Sequence, residues 1–356
     1  MPDTTPEHVA DPVVTLVDGF VPVIDMAATR TADLRRRTVA AKAVGRVCET
    51  SGFFAVVNHG MPTAVIDAAR AATRAFFALP ADQKARAAAS PADPLLRGYG
   101  RMIEPDIRRD RGPDGDVLET FVANNLGEPI PAAQRSPAAD PAYYTPNKWP
   151  DLPDFRAAYG AYFEAAEDLA IEIMELFALA LDLPVNWFAD KFDAHMTSIA
   201  ANQYQGRSAP PAHGELRKAP HTDWGTLTLL YKDETARGLQ VLNSDRQWTD
   251  VPSLPGSLIV NIGDLMALWT NDRWASTVHR VVHLGDGTGY GSRQSLAFFH
   301  QPGYDALIAC IPGCAGEDRP ARHRPVTFGE YMSGKLRRAV IRQRLSLKAA
   351  GTRPGL

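Results

Sequence analysis

Cysteine is scarce in this 356-residue chain, with only Cys48, Cys310 and Cys314. An odd, sparse set excludes a disulfide framework and points to free thiols in a reducing, cytoplasmic setting. Cys310 and Cys314 could be half of a metal site, but no second pair completes it. Long apolar runs are also missing. None reaches the roughly 18 residues that a membrane-spanning helix needs. The first residues, Met1-Pro-Asp-Thr-Thr-Pro-Glu, lack the apolar core of a secretion signal. Charge of one sign is lacking as well. The net charge is −3 with no long basic block, which argues against nucleic acid or an anionic membrane as partner. What remains, 45% hydrophobic and 22% charged residues, has the balance of an ordinary globular protein. The length allows two domains, or one long barrel.

Patterning divides the chain. Residues 1–19 read as a flexible lead-in. Residues 20–125 hold short strands at 21–25, 52–58 and 117–122 and helical periodicity at 29–50 and 62–79. Between them, 80–115 mixes Pro, Gly, Arg and Asp and reads as an irregular active-site loop. Residues 126–195 combine a Pro-rich surface excursion with a long helical pattern over 155–181 and a short one over 186–192. From 196 to 304 the pattern turns to short β runs at 199–205, 226–231, 239–242, 248–250, 258–262, 276–283 and 295–300, the spacing of a double-sheet jelly roll. Residues 206–220 read as a charged rim loop. Residues 305–356 end in a basic helix over 327–349. The expected fold class is therefore mixed α and β: a double-stranded β-helix (jelly-roll) core with supporting N-terminal and C-terminal helices.

Chemistry concentrates at His221-Thr-Asp223, at the head of the apolar run 221–231. On a strand, residues two apart project to one side, which brings an imidazole and a carboxylate together. His279, in the β-branched run 276–282, is the best third ligand. Two His and one carboxylate on one face of a metal leave the opposite positions open, as non-haem Fe(II) oxygenases require. Arg293 and Ser295, again two apart, open the next run, and an inward-facing Arg needs an anion.

These features resemble the signature of the Fe(II)/2-oxoglutarate-dependent oxygenases related to isopenicillin N synthase. The matching pieces are His221-x-Asp223, His279, Arg293-x-Ser295, Asn202-Gln-Tyr204, Asn261-Ile-Gly-Asp-Leu-Met266, Trp269-Thr-Asn271 and Ser276-Thr-Val-His-Arg-Val281. Nearer the N-terminus they are Val21-Pro-Val-Ile-Asp25, Gly52-Phe-Phe-Ala-Val-Val-Asn-His-Gly60 and Arg74-Ala-Phe-Phe77. Together they span roughly residues 20 to 340.

The resemblance implies Fe(II) on His221, Asp223 and His279, with 2-oxoglutarate and O2 as cosubstrates. It implies Arg293, Ser295, Tyr204 and Asn202 around the 2-oxoglutarate, Arg293 supplying a bidentate fork to the distal carboxylate. The implied reaction is hydroxylation, desaturation or ring closure of a small molecule through a ferryl oxidant, with succinate and CO2 released. Arg97, Phe121, Trp224 and His300 are expected to line the substrate pocket. Two other readings stay open: an isopenicillin N synthase-like oxidase that uses no 2-oxoglutarate, and a non-catalytic binding protein. The Ala- and Arg-rich composition associates with specialised metabolism. A monomer is the expected state.

Overall fold

In the computed structural model, residues 13–16, 20–103, 117–207, 210–211, 215–233, 237–283 and 290–349 are described. The strands are β1 (Val14–Leu16), β2 (Pro22–Asp25), β3 (Phe53–Val57), β4 (Gly98–Ile103), β5 (Val117–Asn124), β6 (Ser198–Tyr204), β7 (Leu216–His221) and β8 (Leu227–Lys232). They continue with β9 (Leu239–Leu242), β10 (Trp248–Asp250), β11 (Leu258–Ile262), β12 (His279–Val282), β13 (Arg293–His300), β14 (Leu307–Ile308) and β15 (Val326–Thr327). The helices are α1 (Leu34–Thr50), α2 (Thr63–Phe77), α3 (Ala81–Ala85), α4 (Phe155–Ala180), α5 (Asp264–Trp269) and α6 (Phe328–Ala349).

A nine-stranded sheet, ordered β1-β2-β3-β11-β8-β13-β6-β5-β4, faces a four-stranded sheet, ordered β10-β9-β12-β7. This is the jelly roll, with N-terminal strands extending both edges of the larger sheet. Strand alternation gives that sheet two different faces. On one, Phe54, Val56, Phe121, Ile199, Leu229, Leu296 and Phe298 join the main core with α1, α2 and α4. On the other, Val23, Phe53, Ala55 and Ile259 meet Leu239, Val241 and Val281 of the smaller sheet, with Leu230 packed alongside.

Local chemistry places the helices. The Asp33 side chain accepts from the backbone N–H groups of Arg35 and Arg36, which caps α1. Ala40, Val44, Val47 and Cys48 then bury one stripe of α1. The central helix α4 is pinned to the sheet by Tyr159. Its hydroxyl lies 3.0 Å from the Phe121 carbonyl, lies 3.2 Å from that of Ile199, and accepts from the Ala201 N–H at 3.0 Å. Arg37 ties α1 to α4 through Glu175, while Arg30, just before α1, pairs with Glu172 of α4, and Lys42 of α1 pairs with Asp182 just beyond α4.

Several expectations are corrected. Residues 14–16 of the expected lead-in form β1, paired antiparallel with β2; residues 1–12 lie outside the described part. The supposed loop 80–115 contains α3 and all of β4, which pairs with β5 from Gly98 to Ile103. Its Gly and Arg content hid a six-residue strand whose first residue, Gly98, has φ of +111°. The supposed rim loop 206–220 contains most of β7, despite Pro220. The short helix expected at 186–192 is only a 3-10 turn at Ala189–Lys191. Ile171 of α4, although apolar, is 47% exposed. All three cysteines are free thiols. Among the described residues, no helix is long and apolar enough to cross a membrane.

Candidate metal centre and cosubstrate pocket

His221 is the last residue of β7, and His279 is the first of β12, directly opposite it in register. Their ring centroids are 4.2 Å apart. Asp223 is on neither strand. It sits in the turn that carries the chain from the smaller sheet to β8 in the larger one, so the expected continuous strand over 221–231 is replaced by a crossing. The three side chains converge because the crossing is tight. A Cβ added to Gly225 would lie 2.6 Å from the His300 carbonyl oxygen, and one added to Gly263 would lie 2.2 Å from that of Gly225. Glycine at both positions lets three backbones meet behind Asp223.

Each of the three side chains has one atom committed elsewhere and one aimed inward. His221 Nδ1 lies 2.8 Å from the Ala219 carbonyl oxygen and His279 Nδ1 lies 3.1 Å from that of Thr277. Both contacts favour the tautomer whose Nε2 carries a lone pair. Asp223 Oδ2 accepts from Thr228 Oγ1 at 2.6 Å and from Asn261 Nδ2 at 2.7 Å. Its Oδ1 is left 4.0 Å from His221 Nε2 and 3.9 Å from His279 Nε2. Those gaps are too long for hydrogen bonds, yet they fall within the span of two metal–ligand bonds of about 2.0–2.2 Å. These three side chains are a group able to hold a metal ion.

The electrostatics agree with that use. Burial, then the neighbouring His279, pushes His221 down to about 4, which keeps its imidazole neutral. Burial alone would raise the Asp223 carboxyl. The two histidines and the Thr228 and Asn261 hydrogen bonds outweigh it and hold the carboxyl below its usual range. Behind the ligands, the Asp264 N–H donates to the Asp223 carbonyl at 2.8 Å. Asp264 also accepts from Thr222, Ser276 and Lys335.

The residues expected around a 2-oxo acid share the inner face. Thr228, the donor to Asp223, fixes which face that is. Alternation along β8 puts Leu230 and Lys232 with it, and cross-strand pairing adds Phe299, Ala297 and Ser295 of β13. Ser295 is opposite Asn202, and Arg293 is opposite Tyr204. Arg293 is 3% exposed, and its guanidinium lies 5.1 Å from the Tyr204 ring centroid. Its Nε is buried without a hydrogen-bond partner. Among the described residues, none of the carboxylates ion-pairs with it. A buried guanidinium with an idle donor is suited to an incoming anion.

The residues expected to line a substrate fare differently. Arg97 is fully buried, forks onto Asp93 at 2.8 and 2.9 Å, and donates to the Ala142 and Tyr143 carbonyls. It clamps a loop. Phe121 points to the helix side, edge-on to Phe76, Phe155 and Tyr159. Turning it inward would forfeit about 1.5–3 kcal/mol of burial. His300 shares that side with Phe298, stacks on Phe192 with ring centroids 4.1 Å apart, and meets Thr226 Oγ1 at 3.0 Å. In both strands the expected residue is one place out of register, and Thr120 and Phe299 are the inward-facing neighbours. Trp224 follows Asp223 and packs half-buried on the helix-side core.

Thr228, Asn261 and Lys335 were not anticipated. The alternation of β8 could have revealed Thr228. Nothing local singles out Lys335, because its partner Asp264 is 71 residues away. A cleft of about 810 Å³ lined by residues such as Asn124, Trp149, Arg156 and Tyr159 contains none of the metal-centre or pocket residues.

Residues 21–152 match the family described as the non-haem dioxygenase in morphine synthesis N-terminal region, and residues 197–302 match the 2OG-Fe(II) oxygenase superfamily. The chain is 32% identical to validamycin A dioxygenase of Streptomyces hygroscopicus subsp. limoneus, over 84% of this chain and 82% of that protein. It is 31% identical to jasmonate-induced oxygenase 4 of Arabidopsis thaliana, over 91% and 82%. Among solved structures it is similar to a full-length Neurospora crassa protein in complex with alpha-KG, with a TM-score of 0.77, 26% identity, and coverage of 90% and 96%. It is also similar to JOX2 in complex with 2OG, Fe and JA, with a TM-score of 0.68, 29% identity, and coverage of 87% and 83%.

Proposed function

Because the chain belongs to the 2-oxoglutarate–Fe(II) oxygenase superfamily, we propose that His221, Asp223 and His279 are its iron ligands and that Arg293 anchors its 2-oxoglutarate. The protein is an oxidoreductase, a dioxygenase that uses Fe(II) and 2-oxoglutarate and acts on a small molecule. The observation that carries the ligand assignment is the pairing of idle with committed atoms. Two Nε2 atoms and one Oδ1 converge, while Nδ1, Nδ1 and Oδ2 are each held by the protein.

Bound Fe(II), with 2-oxoglutarate and O2, supplies the oxidising power for attack on a C–H bond and yields succinate and CO2. The chain's own residues bind and orient. Thr228 and Asn261 hold the Asp223 carboxylate so that one oxygen stays directed at the metal. Ala219 and Thr277 hold the imidazole rings through their carbonyls. Arg293, with Ser295, Tyr204 and Asn202 beside it, receives the distal carboxylate. Ser295 lies four residues along the sheet from the Thr228–Phe299 pair, about 13 Å. The long Arg293 side chain and a five-carbon dianion together can close that gap. Leu230 and Ala297 floor it without polar competition. Phe299, half-buried opposite Thr228, is placed to contact the small-molecule substrate.

The test is anaerobic reconstitution with Fe(II), followed by titration with 2-oxoglutarate. One iron per chain and a metal-to-ligand charge-transfer band are expected. Unaltered iron binding in His279→Ala would sink the ligand assignment. Unaltered 2-oxoglutarate affinity in Arg293→Ala, with weaker binding of the small-molecule substrate, would move Arg293 to that substrate.

A further inference from the structure

The last helix reaches back to the crossing that carries Asp223. Three consecutive carbonyls of that crossing are each taken by a donor. Those of Asp223 and Gly225 accept from the backbone N–H groups of Asp264 and Leu265, at 2.8 and 3.2 Å. That of Trp224, between them, accepts from the Tyr331 hydroxyl of α6 at 3.0 Å. One helical turn further on, the Lys335 ammonium donates to Asp264 Oδ2, the same oxygen that accepts from Thr222 at 3.1 Å. Residues four apart share one helix face, and the Lys335 ammonium lies 5.4 Å from the Tyr331 ring centroid. α6 therefore holds the chain on both sides of Asp223, directly at Trp224 and through Asp264 at Thr222. Phe328 and Met332 of the same helix are buried in the main core.

We propose that Tyr331 and Lys335 are positioning residues for Asp223, so that the docking of α6 sets the affinity of the metal centre. The inference rests on the reading of His221, Asp223 and His279 as iron ligands. A carboxylate in a turn has no strand register to aim it. Thr228 and Asn261 fix its side chain, while Asp264 and α6 fix the backbone from which that side chain hangs. With α6 released, the crossing has to be ordered as the metal binds, and that ordering weakens the observed affinity. Lys335 also balances the Asp264 carboxylate, a second negative charge close behind the crossing. A helix that only covered the core would need Phe328 and Met332 but no polar bond to the crossing. Loosening such a helix would lower Tm and leave metal affinity alone.

The experiment uses that difference. The full chain is titrated anaerobically with Fe(II) against a competing chelator, and the Tm of each metal-free variant is recorded. Tyr331→Phe and Lys335→Met should each weaken Fe(II) binding roughly 3- to 30-fold. Tyr159→Phe, which removes a buried hydroxyl on the opposite face of the larger sheet, should lower Tm without weakening Fe(II). In an Asp264→Asn background, Lys335→Met should add less than about 2-fold, because it acts through Asp264. Coupling of this kind is reciprocal, so saturating Fe(II) should slow amide exchange in the first turns of α6 in the unmutated chain. Unchanged Fe(II) affinity in both α6 variants, full additivity in the Asp264→Asn background, or α6 exchange indifferent to Fe(II) overturns the inference. His279→Ala is measured alongside. Iron binding lost there but unaffected in the α6 variants overturns the role of α6 alone. Iron binding retained there overturns the ligand reading, and the role of α6 falls with it.

Discussion

At one end of the inner face the buried charge is the Asp223 carboxylate. At the other end, four residues along β8, it is a guanidinium and an ammonium. The two ends are also built differently. Asp223 lies in a turn, and its position depends on β8, β11 and the start of α5 through Thr228, Asn261 and Asp264. Arg293, Ser295 and Lys232 lie within strands, and register sets the side of the sheet they leave from. The negative end is therefore sensitive to its supports, while the positive end is sensitive to the charged residues themselves.

The harshest way to break this contrast is at the metal. Asp223→Ala removes the only carboxylate of the proposed ligand set and strands two buried donors, so iron content and turnover should both be lost, measured by metal analysis after anaerobic reconstitution. Next is Arg293→Ala. Truncating one partner of a buried charge pair costs about 2–5 kcal/mol, so 2-oxoglutarate should bind roughly 30- to 4,000-fold more weakly. Arg293→Lys should fall between, because the charge remains and the fork is lost. Iron affinity without the cosubstrate should not change, which separates the two ends.

Asn261→Ala sharpens the contrast, since it touches no metal. Removing a support of a ligating carboxylate typically costs 10–100-fold in metal affinity or activity, and 2-oxoglutarate affinity at saturating iron should hold. Gly263→Ala adds a methyl group 2.2 Å from the Gly225 carbonyl oxygen. Overpacking of this kind costs about 1–3 kcal/mol, seen as a lower Tm together with weaker iron binding. Last is Tyr159→Phe on the opposite face of the sheet. Losing its hydroxyl should cost about 1 kcal/mol of stability and leave both binding constants alone. A shift in either constant would mean that the two faces are coupled.

The His, Asp and His that cluster, the jelly roll and the long α4 were legible in the sequence because each is written in local pattern. The His221–Asp223 pair was legible for a partly mistaken reason, since the two residues straddle a crossing between sheets rather than share a strand. Phe121 and His300 show the limit on the substrate side. An apolar run identifies a strand, but a run apolar on both faces, such as Leu296-Ala-Phe-Phe-His300, does not say which side is inward. Arg97 shows another limit. A buried Arg looks functional until its partners are known, and Asp93, Ala142 and Tyr143 were not foreseeable from spacing.

The pairing of β3 has a consequence for how the chain is made. Phe53–Val57 joins the sheet between β2 and β11, and β11 begins about 200 residues later at Leu258. Ribosomes add roughly 5–20 residues per second, so β3 waits some 10–40 s for its second neighbour. During that time Phe-Phe-Ala-Val-Val presents an unpaired, uncharged edge of the kind that aggregates. Slower elongation lengthens this exposure. Cooling a culture therefore has two opposed effects on yield: it weakens hydrophobic association while prolonging the interval in which β3 is open to it.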